Sequence, residues 1–501
     1  MKPAFGWKLY GDGGAPPPGE AVRPDERLSW GRTIGLGAQH VVAMFGATFV
    51  FPVIMGLDPN LAIMMSGVAT ILFLLIVNGR VPSYLGTSAS FVGAVATIRA
   101  AGGDTATVTG AVLVAGLVLA ASGLIIHLVG ARLILRLFPP AVTGAVVMLI
   151  GFNLAPVVAN NYWPYDQWVG LLTMVFVVLA TVLFRGFLGR LAVLLGLAFG
   201  FALSWVLDIA AGPATVPGPE AGSTVSALRV DLAEVAAAPW IGLPTFHAPE
   251  FSTSAILVAL PAVIALIAEN AGHVKAVEEM TGEPLDPYMG RAILADGVAT
   301  AVSSSVGGAP TTTYAENIGV MAATRVYSTA AYYVAAIVAI LFGFCPKFGA
   351  LIAATPEGVL GGISVVLYGM IGLLGAKIWL ENRVDLANPV VLVPVSAGLV
   401  AGIGGVRLAI TDDFVIEGIA LGTLIVIAGY HALHRLAPPQ LRPGASPAGD
   451  RAGDAAEEQG TGQAALATAS PADGSGEERQ RLRRESEEPE PPRSGEPPRS
   501  T

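Results

Sequence analysis

Charged side chains are scarce in this chain of 501 residues: Asp, Glu, Lys and Arg make up 13% of it, against 53% hydrophobic residues. A soluble domain of average composition carries about 25% charged residues. Much of the charge lies in the last segment, where residues 440–501 hold 8 Lys or Arg and 12 Asp or Glu. The long stretch before it is too poor in charge to form a water-exposed surface. This composition excludes a soluble enzyme and indicates a protein that crosses a membrane several times.

Other features are also lacking. The single cysteine, Cys345, excludes an intramolecular disulfide and a metal site built from cysteines. The net charge of −9 comes without a basic patch, so we expect no nucleic-acid partner. Residues 1–27 are polar and rich in Pro and Gly, and we expect no signal peptide there. No His-Glu-x-x-His motif or nucleophile–base pair suggests an intramembrane enzyme.

Apolar runs long enough to cross about 30 Å of hydrocarbon recur along most of the chain. Two further stretches, 84–99 and 311–325, are interrupted by polar residues and glycine, and we expect them to be broken helices that line a cavity. Together they predict an all-α polytopic membrane protein with about fourteen transmembrane segments, two of them strand and half-helix segments. The twelve uninterrupted runs are 33–55, 60–78, 106–127, 140–157, 167–184, 190–210, 253–274, 288–304, 327–345, 355–376, 388–406 and 414–436.

The distribution of positive charge predicts the orientation. With fourteen spans and a cytoplasmic N-terminus, sixteen Lys or Arg residues before the tail lie inside and four lie outside. We therefore expect both termini in the cytoplasm and a multi-pass protein of the cytoplasmic membrane. The expected parts are a flexible arm (1–27), a transporter domain (28–438) with repeats at 28–211 and 253–438 joined by an external loop (212–252), and a disordered tail (439–501).

Two pairs of segments indicate an internal repeat. The run 142–151 matches 360–369 in pattern, with glycines in register, and the interrupted segment 88–93 matches 314–319. Seven spans followed by seven require the second half to be inverted. An inverted 7+7 repeat is typical of transporters whose site lies between discontinuous helices.

Ionisable residues at membrane depth are costly and therefore mark candidate sites. Glu269 lies in an apolar run, and His273 follows it by one helical turn on the same face, so the two could share a proton. Asp296 is a weaker candidate, because it could hydrogen-bond between helices. Gln39 and His40 in the first span are expected to bond across to another helix.

The second acid of interest, Glu316, follows a Thr-rich stretch and precedes an apolar helical turn. This order predicts an extended piece leading into a half-helix whose free N–H groups face a cavity. The partner segment offers Ser90 and the aromatic ring of Phe91. Two acids, free backbone donors and an aromatic ring suit a flat, neutral, amide-rich ligand such as uracil, whereas an anion would need Arg or Lys.

These motifs resemble the nucleobase–ascorbate transporter family, also called nucleobase:cation symporter-2. The resemblance rests on Gln39-His40, on Ala268-Glu-Asn-Ala-Gly-His273 and on the long signature Glu316-Asn-x-Gly-x-x-x-x-Thr-Arg325. The continuation after Arg325, Val-Tyr-Ser, is similar to the uracil and pyrimidine permeases rather than the xanthine and urate branch.

The resemblance implies a core domain and a gate domain in a homodimer that contacts membrane lipid. It implies substrate binding by Glu269, Glu316, Phe91, Ala315 and Tyr368, and proton coupling through His273 with Glu269. The resemblance also implies a supporting network of Gln39, His40 and Asn317. Neither a metal nor a cofactor is expected besides H⁺ as the coupling ion.

The expected function is proton-coupled import of uracil or a related pyrimidine. Two alternatives stay open: a xanthine or purine permease of the same family, and, more distantly, an anion transporter of the same fold. Asn270 and Ala315 stand where uracil permeases often have His and Gly, which bears on fine ligand preference.

Overall fold

A computed structural model describes residues 6–441 of the chain, apart from 18, 131, 186–188, 190, 219–222, 261 and 412–413. The tail expected to be disordered lies outside the described residues from position 442 onward.

Helices dominate the described part of the chain. Each of the twelve uninterrupted apolar runs overlaps at least one of them. In chain order the helices are α1 (Trp30–Met55), α2 (Pro59–Ile76), α3 (Val92–Ala100), α4 (Thr105–Val129), α5 (Arg132–Leu137), α6 (Pro140–Phe152), α7 (Gln167–Leu183), α8 (Ala192–Ala211), α9 (Ala233–Ala237), α10 (Thr253–Ala259), α11 (Ala262–Thr281), α12 (Asp286–Ser305), α13 (Ala315–Thr324), α14 (Thr329–Gly343), α15 (Pro346–Ala353), α16 (Glu357–Glu381), α17 (Pro389–Ile403) and α18 (Gly418–Leu436).

Many of these helices could cross a membrane. Within the described ranges, eight helical segments are long and apolar enough to do so, and nine if α14 and α15, bent by 83° at their junction, form one span. Shorter apolar helices, among them α7 and α17, add to the hydrophobic body. The chain is therefore a mostly helical, multi-pass membrane protein, as its composition predicts, whereas the total of fourteen spans stays a prediction.

The strands that the structure describes form two-stranded sheets. In chain order they are β1 (Lys8–Leu9), β2 (Glu26–Arg27), β3 (Leu85–Thr87), β4 (Ala214–Pro217), β5 (Thr224–Ala227), β6 (Thr311–Thr313), β7 (Arg407–Thr411) and β8 (Phe414–Glu417). Strands β1 and β2 pair in parallel, and the other three pairs (β3–β6, β4–β5, β7–β8) are antiparallel.

The pairing of β3 with β6 joins the two interrupted segments. Both strands are buried, and the ladder continues beyond them, because Tyr314 N–H donates to the Tyr84 carbonyl at 3.0 Å and Ser88 N–H donates to the Pro310 carbonyl at 2.9 Å. The half-helix α13 starts directly after β6, and α3 follows β3 after one helical turn. The segments therefore adopt the strand and half-helix structure that the sequence predicts for them.

Residues 6–27 of the arm that the sequence predicts to be flexible make specific contacts with the helical body where they are described. Val22 is fully buried, and its N–H donates to the carbonyl of Arg325 at 2.9 Å. The Trp7 ring contacts Tyr333 at 5.5 Å between centroids. Composition alone suggested disorder, but one valine, one tryptophan and backbone hydrogen bonds suffice to fix this segment onto the helical body.

The segment predicted as an external loop is anchored by one arginine. The guanidinium of Arg229 lies 2.7 Å from a carboxylate oxygen of Asp166 and 3.1 Å from one of Asp208, and all three side chains are largely shielded from solvent. Asp166 also accepts hydrogen bonds from the first turn of α7. The side of the membrane on which this segment lies stays a prediction.

Close helix packing depends on glycine. A Cβ built on Gly123 of α4 would lie 2.1 Å from the backbone nitrogen of Leu294 in α12. A Cβ on Gly151 of α6 would lie 2.2 Å from the backbone nitrogen of Gly372 in α16. The segments 142–151 and 360–369, which match in sequence, thus lie on two helices that pack directly against each other.

We predict that Gly123→Ala destabilises the protein. An alanine in a helix interior ordinarily stabilises it by about 1 kcal/mol relative to glycine, but the clash with the α12 backbone costs about 1–3 kcal/mol. The detergent-solubilised variant should show a lower Tm and less monodisperse protein than the unsubstituted chain.

Gly369→Ala is the matched control, because a Cβ at that position of α16 meets no atom within 4 Å. An unchanged Tm in Gly123→Ala would contradict the close α4–α12 contact.

Candidate functional site

A cavity of about 390 Å³ lies beside the paired strands. Its walls come from α1, α6, α11, α13 and α16, together with β3, the turn that follows it, and β6. Polar and apolar side chains both line it: Ala47, Phe51, Thr87, Ala89, Val147, Ile150, Glu269, Gly272, His273, Ala276, Glu279, Met280, Thr312, Thr313, Tyr314, Ala315, Glu316, Ile318, Gly319, Ala322, Ile371, Leu374, Lys377, Ile378 and Glu381. The cavity volume falls in the range typical of small-molecule sites.

Glu316 lies in the first turn of the half-helix α13 and lines the cavity. The N-cap residue Tyr314 makes no side-chain hydrogen bond to the helix start, so N–H groups of the first turn lie beside the carboxylate without a cap from that residue. Tyr314, the residue before α13, fixes the position of the helix start. Its Oη donates to the Thr87 carbonyl at 2.8 Å and accepts from Thr48 Oγ1 at 3.3 Å. The start of α13 is therefore tied to both β3 and α1.

Glu269 reaches the same cavity from the middle of α11. Its Oε2 accepts a hydrogen bond from Ser90 Oγ at 3.3 Å. Ser90 belongs to the short helical turn that precedes α3. Both interrupted segments thus contribute polar groups around the two acids, as the sequence predicts.

His273 lines the cavity one helical turn after Glu269, but its hydrogen bond goes to another partner. Its Nδ1 lies 2.7 Å from Thr313 Oγ1, and Thr313 Oγ1 donates to Asn270 Oδ1 at 3.4 Å. When the Thr313 hydroxyl donates to Asn270, its oxygen is left to accept from His273, and Nδ1 is then the protonated nitrogen of a neutral ring. When the ring is neutral, Nε2 is then its free proton acceptor.

Asn270 extends this chain of hydrogen bonds to α12. Its Nδ2 donates to Asp296 Oδ2 at 2.7 Å and to the Leu266 carbonyl at 3.0 Å. These two acceptors fix the orientation of the Asn270 amide. Asp296 is fully buried and lies outside the cavity lining. It therefore hydrogen-bonds between helices, which is the role that the sequence favoured for it.

Two of the expected binding residues lie behind the cavity wall. Phe91 is fully buried in the hydrophobic core and does not line the cavity. Tyr368 is also buried, and its ring stacks on Phe51, with 6.0 Å between centroids and 7° between planes. Phe51 lines the cavity in its place. The rings of Phe91 and Tyr368 therefore do not line the cavity, and Tyr368 packs behind Phe51. Substrate binding by these two residues stays a prediction.

The supporting network is present in part. Asn317 Nδ2 donates to the carbonyl of His40 at 3.0 Å and lies 3.1 Å from its Nδ1, so His40 bonds across from α1 to α13 as expected. Gln39 instead borders a separate shallow pocket with residues such as Arg32 and Thr324. One step along a helix turns a side chain by about 100°, which separates Gln39 from its neighbour.

Several lining residues went unnoticed in the sequence. Phe51 and Thr313 lie within apolar or Thr-rich runs that carry no distinguishing signal. Three charged residues, Glu279, Lys377 and Glu381, fall near span ends, where charge is ordinary, so the sequence does not mark them as candidates. In the cavity, Lys377 Nζ pairs with Glu381 Oε1 at 3.5 Å. Among the described residues, no group of three His, Cys, Asp or Glu side chains could hold a metal ion.

Solved structures of transporters share this fold. The transmembrane domain of the cyanobacterial bicarbonate transporter BicA aligns with a TM-score of 0.54 and 14% identity, over 80% of this chain and 96% of that one. The murine Slc26a9 anion transporter in its inward-facing state aligns with a TM-score of 0.59 and 12% identity, over 82% of this chain and 70% of that one. At such low identity the likeness concerns the fold.

Sequence comparison identifies nearer relatives. The protein named "Putative pyrimidine permease RutG" from Escherichia coli (strain K12) is 46% identical over 409 residues, which cover 80% of this chain and 89% of the relative. The uracil permease of Bacillus caldolyticus is 37% identical over 416 residues, covering 80% and 91%. The uracil permease of Escherichia coli (strain K12) is 35% identical over 419 residues, covering 81% and 92%.

A family model, Xan_ur_permease, described as "Permease family", matches residues 31–410. The matched relatives are permeases, so the chain is a transporter and not an enzyme. The chain belongs to this permease family, the nucleobase:cation symporter-2 family that its motifs resemble.

Proposed function

We propose that this protein imports uracil or a related pyrimidine nucleobase across the cytoplasmic membrane, coupled to the entry of protons. The observation that carries the proposal is the pair of half-buried carboxylates, Glu269 and Glu316, which line one cavity beside the free N–H groups of a half-helix. Relatives named uracil and pyrimidine permeases support the same substrate class.

The polar groups suit the hydrogen-bonding pattern of uracil. The base has two N–H donors and two carbonyl acceptors. Glu269 and Glu316, when ionised, accept hydrogen bonds, while the backbone N–H groups at Ala315 and Glu316 donate them. Phe51 offers an apolar aromatic surface on the same cavity for the flat ring. Each polar edge of the base thus has a matching group available.

The same cavity argues against an anion as substrate. Its one lysine, Lys377, is paired with Glu381, and the described residues that line it include no arginine. Three further acids, Glu269, Glu279 and Glu316, face this space. An anion would meet several carboxyl groups there and find no bidentate partner. A purine nucleobase is the second candidate substrate, and competition experiments distinguish it from a pyrimidine.

Proton coupling is proposed for His273 with Glu269. Because Nδ1 is engaged with Thr313 Oγ1, Nε2 is the ring atom available to exchange a proton with the cavity. The hydrogen-bonded chain through Thr313 and Asn270 holds the ring in place. A change of charge on this ring alters the field at Glu269, which lies one turn away on α11.

The architecture is proposed as fourteen spans in two inverted repeats of seven, with a core domain moving against a gate domain. In support of this, the two segments that match in sequence, 88–93 and 314–319, each follow directly after a strand of the β3–β6 pair and lead into a half-helix. Both termini are proposed to be cytoplasmic on the basis of the distribution of Lys and Arg. A homodimer in lipid is proposed from the family.

The test of function is uptake of labelled uracil into cells or proteoliposomes, with xanthine, thymine, ascorbate and bicarbonate as competitors. We expect pyrimidines to compete and bicarbonate to have no effect. Selective competition by xanthine would replace the pyrimidine assignment with the purine one.

Replacing either cavity acid by its amide should weaken uracil binding. Glu316→Gln and Glu269→Gln keep the shape of the side chain but replace one acceptor oxygen by an NH₂ donor. That donor would face an N–H group of the ligand. Loss of a charge-assisted bond should weaken binding by about tenfold to a hundredfold, at about 1.4 kcal/mol per tenfold. Calorimetry on purified variants measures this change.

Asp296→Asn is the matched control, since Asp296 bonds to Asn270 and does not line the cavity. Its effect on uracil affinity should be the smaller one. Near-normal affinity in both glutamate variants would place the base elsewhere.

Removing the titratable ring should separate binding from accumulation. In His273→Gln the amide can still donate to Thr313, but it cannot take up a proton at neutral pH. We expect equilibrium binding of uracil within about threefold of the unsubstituted protein, a change of less than about 1 kcal/mol. Accumulation driven by an imposed pH gradient should be lost in proteoliposomes.

Thr313→Val offers a comparison, because it removes the partner hydroxyl and leaves the imidazole. It should reduce accumulation without abolishing it. A His273→Gln protein that still concentrates uracil in response to a pH gradient would remove His273 from the coupling step.

A further inference from the structure

The described residues before α1, which are 6–29 apart from 18, form the N-terminal arm. This arm makes a parallel β-bridge with the segment that follows α13. Val22 N–H donates to the Arg325 carbonyl at 2.9 Å, and the Val22 carbonyl accepts from Tyr327 N–H at 2.8 Å. These two bonds flank Val326, which is buried with Val22 and Leu28 in a small apolar cluster of its own. The far end of the half-helix is thus held by the arm.

The point of attachment is a residue in an unusual conformation. Arg325 ends α13 with φ of 53°, in the left-handed region, which a side chain other than glycine seldom adopts. Such a residue persists where surrounding contacts hold it. Its side chain is exposed, so its backbone supplies the contacts, with the N–H on Met321 and the carbonyl on Val22.

A second contact lies at the start of the next helix. Thr329 Oγ1 donates to the Pro24 carbonyl at 2.8 Å and accepts from Trp7 Nε1 at 2.8 Å. Thr329 N–H also donates to Pro24 at 3.1 Å. The Trp7 ring lies between Trp30 of α1 and Tyr333 of α14. The arm therefore connects the α13–α14 junction to α1.

We propose that this arm is a positioning element of the transport site, which sets the placement of α13 and hence of Glu316. The transport part of this inference rests on the proposed function. Helix α13 has ten residues and is about 15 Å long. Because so short a helix moves as a rigid body, a shift at Arg325 also moves its other end, where Glu316 lines the cavity.

The arm is also close to the other acid-bearing helix. With residues 280–283, which end and follow α11, it borders a pocket that includes Arg23 and Tyr327. Met280 lines both this pocket and the candidate transport cavity. The arm thus lies against the ends of both helices that carry the cavity acids.

The decisive comparison is Val22→Pro against Val22→Ala. Proline removes the N–H that bonds to Arg325, whereas alanine keeps the backbone bridge and shortens only the side chain. The first readout is amide hydrogen exchange of residues 318–327 in the full, purified chain without substrate. Val22→Pro should accelerate this exchange by at least about fivefold, equivalent to about 1 kcal/mol, and Val22→Ala by less.

The second readout is uracil uptake. Val22→Pro should raise KM at least fivefold while leaving the turnover of bound substrate within about twofold, because the acids remain but are held less well. Should Val22→Pro fail to fold, Thr329→Val serves instead, since it is close in shape and loses both hydroxyl bonds of Thr329. Its expected changes are in the same direction.

The outcomes separate the two proposals. Unchanged exchange in residues 318–327 overturns the positioning role, whatever the substrate. Faster exchange with an unaltered KM overturns the link between the arm and the site. Faster exchange in a protein whose unsubstituted form takes up no pyrimidine supports the arm's hold on α13 and refutes the proposed substrate.

Discussion

The antiparallel pairing of β3 with β6 is the constraint on which the candidate site depends. Backbone N–H and carbonyl groups inside a membrane protein must find partners within the protein. Here two short strands from distant parts of the chain satisfy each other, in the register Leu85 with Thr313, Gly86 with Thr312 and Thr87 with Thr311. The chain can then leave each strand as a half-helix, and the N–H groups at the start of α13 remain free for a ligand.

The residues that sequence reasoning located best are those with a high cost of burial. Glu269 and Glu316 stood out because a carboxylate in an apolar run demands an explanation, and both line one cavity. Thr313 and Asn270 were missed as a link between His273 and Asp296. Small polar residues are cheap to bury when bonded, so they leave no comparable mark in a sequence.

The positions of the aromatic residues and of the N-terminal arm are hard to predict from the sequence. Composition cannot tell whether a ring lines a cavity or packs behind its wall, and Phe51 rather than Phe91 lines this one. Composition likewise indicated a loose arm, because few apolar residues occur there. The docking of Val22 depends on backbone bonds to a strand-like segment about three hundred residues away, and long-range pairing of this kind has no local signal.

The long separation of the arm from its partner has a consequence for synthesis. Trp7 and Thr329, which bond to each other, are 322 residues apart in the chain. At about 5–20 residues per second, the ribosome needs roughly 15–60 s to make the partner after the arm has emerged. The arm must therefore stay unpaired while the intervening helices are inserted. Its docking requires the α13–α14 junction to be complete, so a segment synthesised before α1 is among the last to acquire its native contacts.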